Sequence, residues 1–238
     1  MIMAGNALKL RPQSLAEIVT EKLLDLIMDG EIHENEKLNT EELARQLGVS
    51  RMPVREAIKS LEKMGLVVST PYVGAHVAFL EKEDVREIYI GRKALEPVTA
   101  YEACRKMTAK EFKIIEGIHK ELSDVCESYP LNGKQIFLLN REFHFSIYRV
   151  SGYKRLLDMI ENLWSNLAFC KLIYSQNYAN DYDSAQKMLE EHKSYLEMIR
   201  KGEAECLRQN LYDSLSRNER VIPERVAEML KQRNTKER

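Results

Sequence analysis

Hydrophobic positions recur with the three-to-four-residue spacing of amphipathic helices along most of the chain, and two short runs near the start favour strands. Glycine and proline cluster in the later part of the first 80 residues, whereas helical periodicity dominates from about residue 83 onward. This change of pattern predicts two domains, covering residues 1–80 and 81–238. The predicted fold class is mainly α.

The first domain shows three helical stretches followed by a hairpin. Ser14 is suited to cap the first helix, Asn39 and Glu42 have the spacing of a capping box at the second, and Ser50 precedes the third. Pro53 fits the first turn of that third helix, where a missing N–H costs little. Three helices and a hairpin in this order indicate a winged helix-turn-helix. The helices are predicted over about 15–28, between 39 and 48 and between 50 and 65, and the strands over 66–70 and 75–79.

The second domain is predicted to be an all-α bundle of six or seven helices. Pro97 lies inside the first of them, and a proline there removes a backbone N–H and clashes with the preceding turn, so we expect a kink or a break. Gly152, Gly202 and Pro223 separate the later helices. The predicted helices cover about 83–106, 109–128, 132–151, 153–178, 181–201, 203–219 and 222–232.

The composition indicates a folded, cytoplasmic protein. The 238 residues are 44% hydrophobic and carry 36 Lys and Arg against 37 Asp and Glu, which excludes low-complexity disorder. Four cysteines occur without a CxxC pair, which argues against a disulfide framework and a thiolate zinc site and fits a reducing compartment. No run approaches the roughly 18 apolar residues of a membrane span, and the first residues do not resemble a signal peptide, so no membrane partner is expected.

A basic stripe on the third helix points to nucleic acid. Arg51, Arg55, Lys59 and Lys63 recur every four residues and therefore share one helix face. Cations at this spacing can also form an ordinary solvated face, but the capped turn before the helix and the hairpin after it favour DNA binding. Residues 1–80 hold nine Lys and Arg against eleven Asp and Glu, so we expect modest, salt-sensitive binding to random DNA and tight binding only to a paired operator.

Two motifs resemble those of a known family of bacterial regulators. The run VSRMPVREAIKSLEKMGLV at residues 49–67 is similar to the GntR family. Arg92, Leu95 and Glu96 fit the R-x-x-L-E signature that opens the FCD effector domain of its FadR-like subfamily. The resemblance covers nearly the whole chain. It implies a homodimer that binds a double-stranded DNA operator, usually as a repressor, and responds to a ligand in the helical domain.

The resemblance also assigns DNA contacts. Arg51 and Arg55 are expected to reach base edges, because an arginine near the N-terminus of a recognition helix can donate two hydrogen bonds to guanine. Glu41 is a departure, since many relatives carry arginine there, so the operator is expected to differ. Tyr72 in the hairpin is expected to be an ordinary turn residue. Supporting contacts are predicted at Thr40, Arg45, Ser50, Pro53, Lys59 and His76.

In many FCD domains an Asp and a His four residues apart, with two later histidines, hold a divalent metal whose shell an acid effector completes. The matching positions here are Asn140, His144, His192 and Ser214. Two imidazoles, an amide and a hydroxyl bind zinc, nickel or manganese less well than three imidazoles and a carboxylate, so a metal on His144 and His192 is the less favoured expectation. We expect instead a polar pocket in which Arg92, by family analogy, grips a ligand carboxylate bidentately and those four side chains bind the rest.

The predicted function is a ligand-responsive transcription regulator that senses a small organic or sugar acid, and not an enzyme. The sequence contains no nucleophile elbow, Walker loop, HExxH or Rossmann glycine motif. Three alternatives stay open: an acyl-CoA ligand, a constitutive DNA-binding protein whose bundle only dimerises, and an enzyme with a catalytic metal on the two pocket histidines. His33 and His119 are expected at the surface, and Tyr89 and Asn166 are expected to pack and not to contact ligand.

Overall fold

The computed structural model describes residues 14–28, 31–128, 130–167 and 182–236. These residues form two compact units, which divide between Val77 and Ala78. The N-terminal unit comprises α1 (Leu15–Met28), α2 (Thr40–Leu47), α3 (Arg51–Lys63), β1 (Val67–Thr70) and β2 (Gly74–Val77). The helical unit comprises α4 (Lys82–Lys106), α5 (Ala109–Glu127), α6 (Gly133–Val150), α7 (Lys154–Asn166), α8 (Tyr182–Lys201) and α9 (Ala204–Lys236). The predicted fold class, a winged helix-turn-helix followed by a helical bundle, is confirmed.

The core of the N-terminal unit forms where α1 packs against α3. The apolar residues of α3 have the spacing of one buried helix face, and Val54 and Leu61 within it are completely buried. The same spacing in α1 predicts a buried face that includes Leu15 and Ile18, and this is wrong, because these residues are 50% and 48% exposed. The buried face begins at Val19, so the first turn of α1 projects past the core.

Side chains cap the first two helices. The Ser14 hydroxyl accepts from the Glu17 N–H (3.2 Å), and the Glu17 carboxylate accepts from the Ser14 N–H (2.7 Å). Asn39 accepts from two N–H groups of the first turn of α2, at 2.9 and 3.3 Å. In a complete capping box the Glu42 carboxylate would accept from the Asn39 N–H. At α2 it instead accepts from the side chains of Arg45 and Gln46 in the next turn. Both helices therefore begin where the sequence predicted.

A tight turn joins α2 to α3. Gly48 has φ 66°, a left-handed conformation that favours glycine, and its N–H bonds back to α2. Ser50 occupies the predicted N-cap position of α3, but its hydroxyl accepts no bond from the helix. This turn places the N-terminus of α3 directly after α2.

A third segment, which the hydrophobic pattern did not predict, pairs with β2 of the hairpin over a single bridge. β1 and β2 pair antiparallel. Lys37, which precedes α2, forms a β-bridge with His76, and the Leu38 N–H donates to the Ala75 carbonyl oxygen at 2.8 Å. These bonds tie the hairpin to the segment that leads into α2.

α4 is the central helix of the helical unit and packs against α6, α7 and α9. The break expected at Pro97 does not occur, because α4 continues through that residue. Pro97 is buried, and so are Glu96 and Ala100 beside it. Burial on both sides of the proline stabilises the helix across the turn that lacks one backbone hydrogen bond.

α9 was predicted as two helices that meet near Pro223, and this prediction is wrong: α9 is one helix of 33 residues. Two ion pairs join α9 to α4 on either side of the proline. They connect Lys93 with Glu219 and Lys82 with Glu224, the latter at 2.6 Å. Packing along α4 therefore overrides the local preference of proline to end a helix.

The other predicted helices agree with the structure to within two residues, apart from the fourth helix predicted in the second domain. That helix was predicted over 153–178, and its described part is α7, whereas residues 168–181 lie outside the described residues. None of the helices in the described part of the chain combines the length and apolar character needed to cross a membrane.

Candidate DNA interface and ligand pocket

α3 separates basic from apolar side chains. Arg51, Arg55 and Lys59 are exposed, whereas Val54 and Ile58 are buried. Within the described residues, neither Arg55 nor Lys59 forms a hydrogen bond or an ion pair. Both cations are therefore available to an external anion such as a DNA phosphate or to an acceptor on a base edge.

Two of the predicted DNA contacts already bind carboxylates. Glu41 of α2 forms an ion pair with Arg51, the first residue of α3, and both side chains are exposed. Glu42 binds Arg45 through Nε (3.1 Å) and Nη2 (2.6 Å). Hydrogen bonding within this second pair lowers the pKa of Glu42 and raises that of Arg45. The Glu41 departure thus acts directly on the recognition helix.

Pro53 does not fit its predicted contact with DNA. Its side chain is buried with the core residues of α3, because the first turn of the helix points that position inward. Its contribution is to preset the backbone of that turn. Thr40 is half-buried at the start of α2, and Ser50 is exposed at the start of α3, so both predicted contacts stay compatible with the structure.

At the hairpin, the predicted contact residue His76 is half-buried, with Nδ1 3.2 Å from the Gly74 carbonyl oxygen. Tyr72, expected to be an ordinary turn residue, is fully exposed and has φ 67°, a conformation that is uncommon outside glycine. Val73 beside it is 51% exposed. The tip of the hairpin thus presents an aromatic and an apolar side chain to solvent.

The helical unit contains a cavity of about 740 Å³, which is the size of a small-molecule site. All five predicted effector-binding residues line it. Arg92, His192 and Ser214 are buried, and Asn140 and His144 are half-buried. Side chains from α4, α6, α8 and α9 therefore converge although the first and the last of them, Arg92 and Ser214, are more than one hundred residues apart in sequence.

A buried carboxylate organises the wall of this cavity. Glu96 is completely buried and accepts from Arg92 Nε (2.6 Å) and Nη2 (3.2 Å). It also accepts from the Tyr148 hydroxyl (2.8 Å) and from Trp164 Nε1 (2.7 Å). Four hydrogen bonds satisfy this carboxylate, which a buried charge requires.

The Arg92 guanidinium is held in one place, but one of its N–H donor groups is unused by the described residues. Its central carbon lies 5.0 Å from the centre of the Tyr89 ring and 4.2 Å from that of Trp164. Burial is the largest single influence on the Arg92 guanidinium and opposes its charge, but the Glu96 carboxylate together with the Tyr89 and Tyr148 side chains outweighs burial, so the pKa of Arg92 is raised. Nη1 is buried and has no hydrogen-bond partner within the described part of the chain. The cavity wall therefore holds a permanent cation with one donor group to spare.

The histidines form part of an aromatic cluster. His192 stacks on Phe143 with ring centres 4.1 Å apart, and the His144 ring meets it edge-on at 4.9 Å. His119 was expected at the surface and is instead half-buried, 6.2 Å from the His192 ring, with Nε2 3.4 Å from the Leu189 carbonyl oxygen. No sequence signal indicates this position of His119, because α5 meets α8 only in the folded bundle.

The residues at the expected metal position do not fit a zinc, nickel or manganese site. Across residues 14–28, 31–128, 130–167 and 182–236, no three His, Cys, Asp or Glu side chains converge as ligands. Asn140 and Ser214 supply neutral oxygens in place of charged or imidazole ligands. Arg92, which lines the same cavity, offers only N–H donors, which cannot ligate a cation.

Sequence reasoning missed most of the network that holds Arg92. The spacing of Arg92 and Glu96 places them on one face of α4 and could have indicated their pairing. No sequence signal links Tyr148 or Trp164 to that carboxylate. Tyr89, expected only to pack, also lines the cavity, whereas Asn166, expected to pack, is exposed and bonds Asn162 at 3.3 Å.

Comparisons with known proteins agree with this architecture. Residues 15–77 match the bacterial regulatory proteins of the gntR family, and residues 87–217 match the FCD domain. The chain is 31% identical over 193 residues to the uncharacterized HTH-type transcriptional regulator YdhC of Bacillus subtilis, covering 80% of this chain and 83% of YdhC. It is 26% identical over 198 residues to the gluconate operon transcriptional repressor of the same organism, covering 79% and 76% of the two chains.

Among solved structures, Escherichia coli McbR/YncC is similar, with a TM-score of 0.66 and 25% identity over 90% of this chain and 99% of that chain. Both matched families occupy the units in which their motifs were found. The chain therefore belongs to the GntR family of bacterial regulatory proteins and carries an FCD domain in its helical unit.

Proposed function

We propose that the protein is a transcription regulator that binds a double-stranded DNA operator as a homodimer and releases it when an acid ligand enters the cavity. The exposed basic face of α3 carries the DNA-binding part of the proposal, because Arg55 and Lys59 lie opposite its buried stripe. Membership of a family of bacterial regulatory proteins supports it. Repression is the proposed direction, since one relative is named as an operon repressor.

The DNA-binding part is tested by substitutions of Arg55. Arg55→Ala should abolish protection of the region upstream of the gene in a footprint, with an unchanged circular dichroism spectrum because the side chain is exposed. Arg55→Lys keeps the charge but loses the two-pronged donor, so it should bind random DNA normally and lose its preference for the operator. Arg200→Ala, at an exposed arginine of the helical unit, is the control. A normal footprint for Arg55→Ala would refute the assignment of α3.

The dimer is proposed on physical grounds. One winged helix reads too few base pairs for operator specificity, and two half-sites supply the remainder. Analytical ultracentrifugation of the protein with operator should therefore give two chains per DNA duplex. One chain per duplex at full occupancy would contradict this part of the proposal.

The ligand-binding part is carried by the buried Nη1 of Arg92. Because Nε and Nη2 already donate to Glu96, the bidentate grip expected from the sequence is replaced by a contact in which a ligand carboxylate accepts from Nη1, and the other four predicted side chains would bind the rest of the ligand. An acid that binds should raise the melting temperature of the protein. Asn140→Leu removes a polar group of the cavity without disturbing Arg92 and should weaken that response. If no acid, sugar acid or acyl-CoA shifts the melting temperature, the bundle has no sensing role.

We propose that this pocket works without a metal, because its donor set suits an organic anion better than a cation. Elemental analysis of protein purified without chelator or metal-affinity resin provides the test. Stoichiometric zinc, nickel or manganese would refute the proposal, whatever its effect on DNA binding.

The proposed coupling between the two units is reciprocal. Only four residues separate β2 from α4, the helix that carries Arg92, so a displacement of α4 acts directly on the chain that enters the N-terminal unit. If the ligand weakens operator binding by some factor, saturating operator must weaken ligand binding by the same factor. Calorimetric titration with and without operator measures both. A ligand whose affinity is unchanged by operator would favour the constitutive alternative.

A further inference from the structure

We infer that the effector is an amphipathic acid, with a single carboxylate and an apolar body, and not a polyhydroxylated sugar acid. The inference rests on the proposed function, because it concerns the ligand of the same cavity. It follows from the way in which polar and apolar side chains divide along the cavity.

The helix pair formed by α8 and α9 defines the long direction of the cavity. Two residues separate these helices, and the helices pack against each other, so they run antiparallel. The ion pair of Glu191 with Arg217 (2.7 Å) sets which turns face each other. His192 and Ser214 therefore lie at one level, and earlier residues of α8 face later residues of α9.

The level of His192 and Ser214 is the polar end of the cavity, and α4 adds the Arg92 cation there. Leu211 and Leu215 of α9 also line this level, but all the buried polar side chains of the lining lie there, and toward the start of α8 apolar residues line the cavity on three helices. These apolar residues are Ile136 and Phe137 of α6, Ala185 and Met188 of α8, and Ile222 of α9.

Charged side chains at the apolar end lie at its mouth. Lys187 and Arg225 line the cavity but are exposed, so water solvates them and they do not require a second buried acid. Ser184 and Asn218 are the half-buried polar exceptions. The buried side chains that line this end, Phe137, Ala185 and Ile222, carry no hydrogen-bonding group.

The dimensions favour an acid of intermediate length. Ile222 follows Ser214 by eight positions, which corresponds to about 12 Å along a helix. An extended acyl chain of about eight carbons spans most of that distance, whereas an aromatic ring on a one-carbon spacer is shorter and fills only part of it. Hydroxyl groups of a sugar acid would lose water against Phe137 and Ile222 without gaining comparable bonds, which disfavours such a ligand.

The experiment compares sodium butanoate, hexanoate, octanoate, phenylacetate, gluconate and citrate by calorimetric titration of the full-length protein. Each methylene that becomes buried should tighten binding by up to about fourfold. Octanoate should therefore bind at least about tenfold more tightly than butanoate. Gluconate and citrate should bind more weakly than octanoate.

Two matched variants separate the ends of the cavity. Met188→Gln places an amide of similar size at the apolar end, so it should weaken octanoate and leave butanoate unchanged. Lys193→Gln, at an exposed residue of α8 that does not line the cavity, should change neither. Asn140→Leu, at the polar end, should weaken both acids.

The outcomes distinguish this inference from the proposed function. Gluconate or citrate binding more tightly than octanoate, with Asn140→Leu reducing it, would overturn the amphipathic ligand and leave an acid sensor in place. Binding of octanoyl-CoA without binding of octanoate would also overturn it, because the thioester has no free carboxylate for Arg92. Absence of binding by every acid would overturn the inference together with the sensing role.

A separate observation, the ion pair of Glu41 with Arg51, carries a second inference. We infer that Glu41 is a specificity-determining residue of the N-terminal unit, and this rests on α3 reading DNA. The carboxylate from the first turn of α2 holds the guanidinium of the first residue of α3, and both groups are exposed where DNA would approach. A bound guanidinium has fewer orientations open to it, so it can donate to a base edge with less loss of freedom.

Glu41 also repels phosphates and neutralises one cation of the basic face. Glu41→Gln should therefore strengthen binding to random DNA and steepen the slope of log K against log salt by about 0.9, the value for one additional phosphate contact. The ratio of operator to random affinity should fall. The operator used is the sequence that wild-type protein selects from a random pool.

Glu56→Gln is the matched control, since Glu56 is an exposed carboxylate of α3 that forms no pair with Arg51. It changes net charge equally. Equal salt slopes and equal specificity ratios for the two variants would reduce Glu41 to a general electrostatic effect and overturn the second inference. A larger loss of specificity for Glu41→Gln supports it.

Discussion

Replacing Glu96 by glutamine tests the buried network most directly. The Glu96 side chain is 0% exposed and that of Arg92 is 4% exposed, so neither charge is solvated by water. Glutamine keeps the volume and one acceptor oxygen but removes the charge. The Arg92 cation would then stay buried beside a donor amide, without its counter-ion.

The expected loss is large because it leaves an uncompensated buried charge. Removing one partner of a buried ion pair typically costs about 3–5 kcal/mol. We expect the free energy of unfolding of the helical unit to fall by about that amount. Glu142→Gln is the control: its ion pair with Arg149 has side chains 44% and 51% exposed, and an exposed pair contributes about 0–1 kcal/mol.

The chain offers a convenient probe, because Trp164 is its single tryptophan and donates to Glu96. Urea titration followed by tryptophan fluorescence, with circular dichroism as a second signal, therefore reports on the helical unit. An acid that binds the cavity should stabilise Glu96→Gln more than wild type, since it supplies the missing negative charge. A loss below about 1 kcal/mol, equal to the Glu142→Gln control, would refute the reasoning.

Three further predictions concern other parts of the fold. Leu61→Ala, at a completely buried position of α3, should destabilise the N-terminal unit by about 2–5 kcal/mol, measured by hydrogen exchange of α1 and α3 amides. Asn39→Ala should cost about 1 kcal/mol in the same measurement, because α2 loses its cap; no change in α2 exchange would contradict this. Burial, and then the Glu96 carboxylate, raise the pKa of Tyr148 well above its ordinary value of 10.0. The phenol is thus neutral in the fold, so its contribution to stability is present below pH 10 and is lost as pH rises beyond it; Tyr148→Phe should flatten this alkaline loss in urea titrations.

Local sequence signals were sufficient for the helix-turn-helix but not for grouping the residues that line the cavity. Ser14 and Asn39 cap the helices that they were predicted to cap, because capping depends on neighbours within four residues. The basic stripe of α3 follows from helical periodicity alone. At the pocket, the family motif was needed to bring Arg92 together with histidines far along the chain.

Proline positions show where local reasoning failed. Pro97 and Pro223 both disfavour a helix locally, yet α4 and α9 continue through them. The two helices pack along each other and share ion pairs on both sides of Pro223, so the energy gained from burial exceeds the local cost. Helical periodicity describes the spacing of residues within one helix, so it contains no information about the packing of α4 against α9.

The sequence alone determined which kinds of side chain each candidate site contains. These are the basic face of α3 and, in the cavity, a cation, two imidazoles, an amide and a hydroxyl. Folding settled how those groups are paired. It buried Pro53, brought Glu41 to Arg51, and surrounded Glu96 with donors from α4, α6 and α7. Such pairings depend on which helices become neighbours in space, and they determine which donor of Arg92 is left for a ligand.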